Sequence, residues 1–205
     1  GGMNWGSVAV DEQRQLLVVN NSHWPWQVKL IPREEDIARN EARDARQGYG
    51  IGGPQRGTPF AALVQPFGSP LPCLKPPYGE IAVVDLTTQR VVWRRGFGFM
   101  EVGLPHAAGS IVTSGGLIFN AGVMDSRLRA ISVDDGELLW SSRLERSSGA
   151  TPMSYVSPDT GKQYVLVLEP AAGGWGQLEE SHQTSGAGEA HTPAGGKVIA
   201  YALAE

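Results

Sequence analysis

Two stretches of this chain repeat each other without a gap: Val83-Val-Asp-Leu-Thr-Thr-Gln-Arg-Val-Val-Trp93 and Ala130-Ile-Ser-Val-Asp-Asp-Gly-Glu-Leu-Leu-Trp140. Each reads as a strand, a polar turn (Thr88-Gln89 or Asp135-Gly136), a second strand and a closing Trp. The two tryptophans stand 47 residues apart, inside the ~40–50 residue period of blade-type repeats. Val8 to Val18 is a weaker third copy without the Trp, and Lys197-Val-Ile-Ala-Tyr-Ala-Leu203 resembles the start of a fourth. A four-stranded sheet of this size cannot cover both of its own faces, so such sheets must stack, with the Trp packed between neighbours. At ~45 residues per blade the chain holds about four. Closed rings have about 4 to 8 blades, so the chain is either a small ring or part of a larger one.

The rest of the sequence agrees with an all-β reading. Short runs rich in Val, Ile, Leu, Tyr and Trp recur from Ser7 to Ala202, bounded by Gly, Asp, Asn, Pro or Ser. The 27 Gly and 14 Pro suit many tight turns rather than long helices. One segment departs from this. Pro32 to Arg46 has Pro at its start, acids in its first turn and Glu35 four residues before Arg39, and it predicts a short, solvated surface helix. Long Gly/Pro-rich loops follow from Gln47 to Tyr78 and from Gly173 to Gly196. Residues 1–205 therefore read as one propeller domain, with an inserted helix and loop at 32–79 and a C-terminal loop at 173–196.

Several function classes find no support. The formal net charge is -4, so no basic face invites a nucleic acid. Cys73 is the only cysteine, which excludes an internal disulfide and a Cys-based zinc site. Gly48-Tyr-Gly50-Ile-Gly52-Gly53 follows a helix and precedes Pro54, the wrong context for a dinucleotide loop. Glu180-Ser-His182 and Glu189-Ala-His191 lie in a Gly/Ser-rich loop with no rigid element to fix a metal, so no metal ligand is assigned. No nucleophile motif of a hydrolase is present. No apolar run reaches the ~20 residues of a membrane span, and no signal peptide is visible. Any anchor is expected outside this sequence, and the opening at Gly1-Gly2 suggests a chain cut from something longer.

Gly2-Met3-Asn4-Trp5-Gly6 is the most informative short segment. Its glycines permit close backbone approach, Asn4 offers amide donors and a carbonyl, and Trp5 offers a flat stacking surface. That set suits a planar, anionic, oxygen-rich heterocycle. On chemistry alone, however, a plain blade edge, with Trp5 in the core and Asn4 in a turn, is the favoured reading.

In combination, longer motifs single out a family. Gly2-Met-Asn-Trp-Gly6, Val19-Asn-Asn21, Leu30-Ile-Pro-Arg33, Gly57-Thr-Pro-Phe60 and Pro66-Phe-Gly-Ser-Pro-Leu-Pro-Cys73 follow in order. Pro76-Pro-Tyr-Gly79, Ile111 to Phe119, Gly149-Ala-Thr-Pro-Met153, Gly161-Lys-Gln-Tyr-Val165 and Val198 to Leu203 continue the series. Together they resemble the C-terminal part of the membrane-bound quinoprotein glucose, quinate and shikimate dehydrogenases, over essentially the whole chain. The resemblance implies part of an eight-bladed propeller holding pyrroloquinoline quinone and a Ca or Mg ion near its axis. It implies oxidation of a sugar or cyclic-polyol hydroxyl, with electrons passed to ubiquinone at the periplasmic face of the inner membrane.

By the same resemblance Asn4 bonds the cofactor and Trp5 helps to wall its pocket. The general base and most metal contacts are expected upstream of this chain, so no catalytic residue is assigned and the chain alone is expected to be inactive. Its partners would include the remaining propeller blades. Asp125 matches an acidic residue before a blade strand, and Trp175 stands where glucose-oxidising relatives usually carry His. These two are substrate-pocket candidates, although Trp175 also fits an exposed loop aromatic. The alternative class is a non-enzymatic, protein-binding scaffold built from the same blades.

Overall fold

The computed structural model describes residues 2–6, 8–41, 59–66, 74–98, 102–170 and 195–203. Their elements run β1 (Val8–Asp11), β2 (Leu16–Ser22), β3 (Trp26–Pro32), α1 (Arg33–Glu41), β4 (Phe60–Pro66), β5 (Gly79–Asp85) and β6 (Arg90–Gly96). They continue with β7 (Ser110–Val112), β8 (Leu117–Asn120), β9 (Arg127–Ser132), β10 (Leu138–Arg143), β11 (Met153–Val156), β12 (Gln163–Glu169) and β13 (Lys197–Ala202). Four sheets result among the described residues, in the orders β1-β2-β5-β6, β7-β8-β9-β10, β11-β12-β13 and β3-β4. All their pairings are antiparallel. This is a partial propeller, as the repeat predicts, but not four blades: the described residues form two complete four-stranded blades, a three-stranded one whose last strand β13 is the Lys197 copy, and a separate hairpin.

The repeat has a different phase from the one the sequence suggests. The Val8–Val18 copy is not a separate blade. It forms β1 and β2, the first two strands of the blade whose last two are β5 and β6. The insertion β3-α1-β4 separates the two halves of that blade along the chain, while β2 pairs with β5 over seven residue pairs from Leu16↔Asp85 to Ser22↔Gly79. The insertion itself is more ordered than expected. Its helix is Arg33–Glu41, with Glu34, Glu35 and Asp36 in the first turn where the helix dipole favours acids. Phe60–Pro66, expected within a loop, is a strand in register with β3 from Trp26↔Pro66 to Pro32↔Phe60.

Hairpin turns follow a common chemistry. Asp11 accepts from the Gln13 and Arg14 amides, and Asp85 accepts from the Thr87 and Thr88 amides. In the second blade the Ser132 hydroxyl accepts from the Asp134 amide. The residue that closes the β5–β6 turn, Gln89, has φ 56, and its counterpart Gly136 has φ 74. Gly adopts this left-handed conformation without penalty, whereas Gln does so at a cost.

Between the first two blades lies a core of Val18, Ile81, Val83, Ile118, Val123, Ile131 and Val133. A second core joins blade two to the three-stranded sheet through Ala121, Leu128, Leu144 and Val167, with Ile199 and Tyr201 packed against them. Each fully buried Val, Leu or Ile contributes about 1.5–3 kcal/mol. The closing tryptophans act where the repeat places them, between neighbours. Trp93 Nε1 donates to the Val133 carbonyl at 2.7 Å, and Trp140 meets Tyr201 edge-on with ring centroids 5.4 Å apart.

Candidate functional site

Each blade begins its first strand after a short lead-in rich in small residues: 2–6 before β1, 105–109 before β7 and 147–152 before β11. The structure brings these three lead-ins together. A Cβ at Gly6 would lie 1.8 Å from the Gly109 nitrogen, so only glycine lets the two backbones meet. The Gly109 amide in turn donates to Thr151 Oγ1 at 3.1 Å. Trp5 Nε1 donates to the Gly149 carbonyl at 2.9 Å, which ties the first lead-in to the third across the second. Gly2 pairs with Ser22 and so holds the start of the segment to the end of β2.

Asn4 and Trp5 sit at this mouth. Asn4 Oδ1 accepts the Trp5 amide at 2.9 Å, which leaves the amide NH2 as the group Asn4 can offer. Trp5 remains 60% exposed although its indole nitrogen is tied down. It is therefore not the core residue that the plain-edge alternative requires. An indole fixed at its nitrogen and 60% exposed, beside the Asn4 amide, fits one side of a planar, oxygen-rich group.

A buried polar chain beneath the mouth keeps it in place. Asn20 Nδ2 donates to the Ala108 carbonyl at 3.1 Å. Ser110 Oγ donates to Asn20 Oδ1 at 2.8 Å, and Asn120 Nδ2 reaches Ser110 Oγ at 3.0 Å. Asn20 near the end of β2 and Asn120 at the end of β8 hold the same place in successive blades. Sequence reading did not single out Asn20, Ser110, Asn120 or Thr151. The signal available was the Asn recurring after equivalent second strands.

The other candidates lie apart. Asp125 stands in the β8–β9 connection and forms an ion pair with the buried Arg129. Trp175, His182 and His191 lie outside the described residues. Among the described residues no cluster of three or more His, Cys, Asp or Glu side chains is placed to hold a metal.

Comparison with known proteins agrees with the propeller fold. Residues 1–165 match the family model described as the β-propeller domain of glucose/ethanol/alcohol dehydrogenases. The chain is 36% identical to the quinate/shikimate dehydrogenase (quinone) of Acinetobacter baylyi, over 99% of this chain and 25% of that protein. It is 34% identical to the quinoprotein glucose dehydrogenase of Escherichia coli, over 99% and 26% respectively. The chain thus spans about a quarter of the length of the curated relatives it matches. A solved europium-containing methanol dehydrogenase overlays 82% of this chain and 25% of its own with a TM-score of 0.58 at 24% identity, a likeness of fold.

Proposed function

The chain belongs to the glucose/ethanol/alcohol dehydrogenase β-propeller family, and from that membership we propose that the protein containing it is a PQQ-dependent dehydrogenase of sugar or cyclic-polyol hydroxyls. Glucose, quinate and shikimate are the substrate candidates, since relatives matched over 99% of the chain carry those names. The electron acceptor in this reading is ubiquinone, and the setting is the periplasmic face of the inner membrane. The observation that supports it is the junction of the lead-ins, where Asn4 and Trp5 are exposed while Gly149 and Gly109 hold the segments around them.

Pyrroloquinoline quinone, when bound, supplies the two-electron sink for converting CH–OH to C=O. This chain's part is to orient and enclose. The Asn4 amide NH2 donates to an oxygen at the rim of the planar group. Trp5 supplies a stacking wall whose angle the Gly149 carbonyl holds. The proton acceptor and the ligands of a Ca or Mg ion belong, in this reading, to blades outside the chain.

The test is a dye-linked dehydrogenase assay on the full reading frame in which this sequence lies. It is reconstituted with pyrroloquinoline quinone and Ca or Mg and offered glucose, quinate and shikimate in parallel. Cofactor-dependent turnover of at least one is expected, and Asn4→Ala should weaken quinone binding about tenfold, the loss of one hydrogen bond to a charged group. No quinone binding and no turnover would leave the non-enzymatic scaffold as the better account.

A further inference from the structure

Between β6 of the first blade and β9–β10 of the second runs a cleft of about 300 Å³, lined by Arg95, Arg127 and Arg129 with a single carboxylate, Asp125. A second hollow of about 460 Å³ shares Arg95 and Gly96 with it and adds Lys75 and Arg94, against Glu80 and His23. Five cations and two carboxylates thus face adjoining hollows on a chain whose formal net charge is -4. Such a concentration of one sign against the overall charge focuses a field on ligands of the opposite sign.

The acids nearby are already engaged. Asp125 pairs with Arg129, and Glu80 lies 3.2 Å from His23. Asp135, close enough for Arg95 to stabilise its charge, accepts the Glu137 amide of its own turn. Arg129 is only 4% exposed, and its guanidinium lies 6.0 Å from the centre of the Phe97 ring, so it forms a fixed floor. Arg127 is exposed, and its hydrogen bond to a side chain goes to the neutral Ser141 hydroxyl at 3.4 Å. No carboxylate among the described residues pairs with it. Against Asp125, paired with Arg129, and Asp135 beside Arg95, the three guanidinium groups leave the first cleft net positive, with Arg127 as the cation that no described carboxylate pairs.

We propose that this cleft binds a phosphate-type dianion, with Arg127 and Arg95 as its mobile clamps over the fixed Arg129. Guanidinium forks match phosphate oxygens in pairs, and a net positive cleft favours an anion. None of the lining residues belongs to the lead-ins around Asn4 and Trp5; the cleft lies between β6 and the last two strands of the second blade, where Asp125, the pocket candidate, is taken up by Arg129.

The experiment is calorimetric titration of the full-reading-frame protein with inorganic phosphate. Arg127→Gln is compared with Arg90→Gln, which removes the same charge outside the cleft. Saturable binding is expected, weakened about tenfold or more by Arg127→Gln through loss of charge-assisted hydrogen bonds, unaffected by Arg90→Gln and partly restored by Arg127→Lys. Co-sedimentation with phosphatidylcholine vesicles containing phosphatidic acid identifies the source. Arg127-dependent vesicle binding assigns the cleft to a lipid phosphate, and Arg127-dependent binding of free phosphate alone assigns it to a soluble one. No saturable binding of either, or equal loss in the Gln variants at 127 and 90, would overturn the proposal.

Discussion

His106 shows how burial decides chemistry at a single residue. It is 3% exposed, neither ring nitrogen has a hydrogen-bond partner, and its position is set through its backbone amide, which donates to Ser22 Oγ at 3.0 Å. Burial first, and the Arg129 cation second, push its pKa from the ordinary 6.5 down to about 4. The folded chain therefore holds fewer protons than the unfolded one between those values, and stability falls as the pH drops through that window. His106→Leu removes two unpartnered polar atoms at similar volume. It should match or exceed the parent's stability at neutral pH and lose this part of the decline between pH 6.5 and 4, as read by urea unfolding at a series of pH values. Little in the sequence marks His106, a lone histidine between Pro105 and Ala107. Asn4 and Trp5 were legible because their chemistry is carried by adjacent residues. The role of Thr151 was not, because its partner Gly109 lies in another blade.

At the scale of elements, the core between blades one and two is closed at one end by an indole against a glycine. Trp93 Nε1 holds the Val133 carbonyl, and a Cβ at Gly136 would come within 2.7 Å of the Trp93 ring. Gly136→Ala should therefore cost about 1–3 kcal/mol by overpacking. Trp93→Phe should cost about 1 kcal/mol for the hydrogen bond plus lost contact. Because both changes act on the same contact, the double variant should lose less than the sum, and urea denaturation of the four proteins measures the difference. The strand–turn–strand–Trp unit was readable because its side chains alternate and its turns carry polar acceptors. Its phase was not, since a first hairpin such as β1–β2 and a last hairpin such as β5–β6 have the same alternation. Only the pairing of β2 with β5 around the insertion distinguishes them.

For the whole molecule, the faces left uncovered matter most. Ala9 packs into the first core, so by alternation Val8 and Val10 point the other way, and they are 38% and 49% exposed. On the far side Val167 and Ile199 pack inward, while Leu168 and Val198 are 49% and 65% exposed. Two apolar sheet faces at opposite ends are the kind of surface that other blades cover. The 205-residue chain by itself is expected to self-associate and to show neither dehydrogenase turnover nor tight quinone binding. Sedimentation velocity and a dye-linked assay on the purified chain check this, and turnover by a monomer would contradict it.

The sequence alone determined that this chain builds Trp-closed antiparallel blades, because alternation and turn chemistry are local properties that survive without knowledge of partners. It also carried the family, written in contiguous motifs, and marked the adjacent Asn4-Trp5 pair as a candidate. The tertiary structure decided what depends on residues far apart in the chain. It decided the grouping of strands into blades, the clamp of Trp5 on Gly149 across 144 residues, the neutral burial of His106 and the gathering of Arg95, Arg127 and Arg129 around one cleft. Charge and hydrogen-bond satisfaction are set by what faces a group in space, and no spacing along the chain records that.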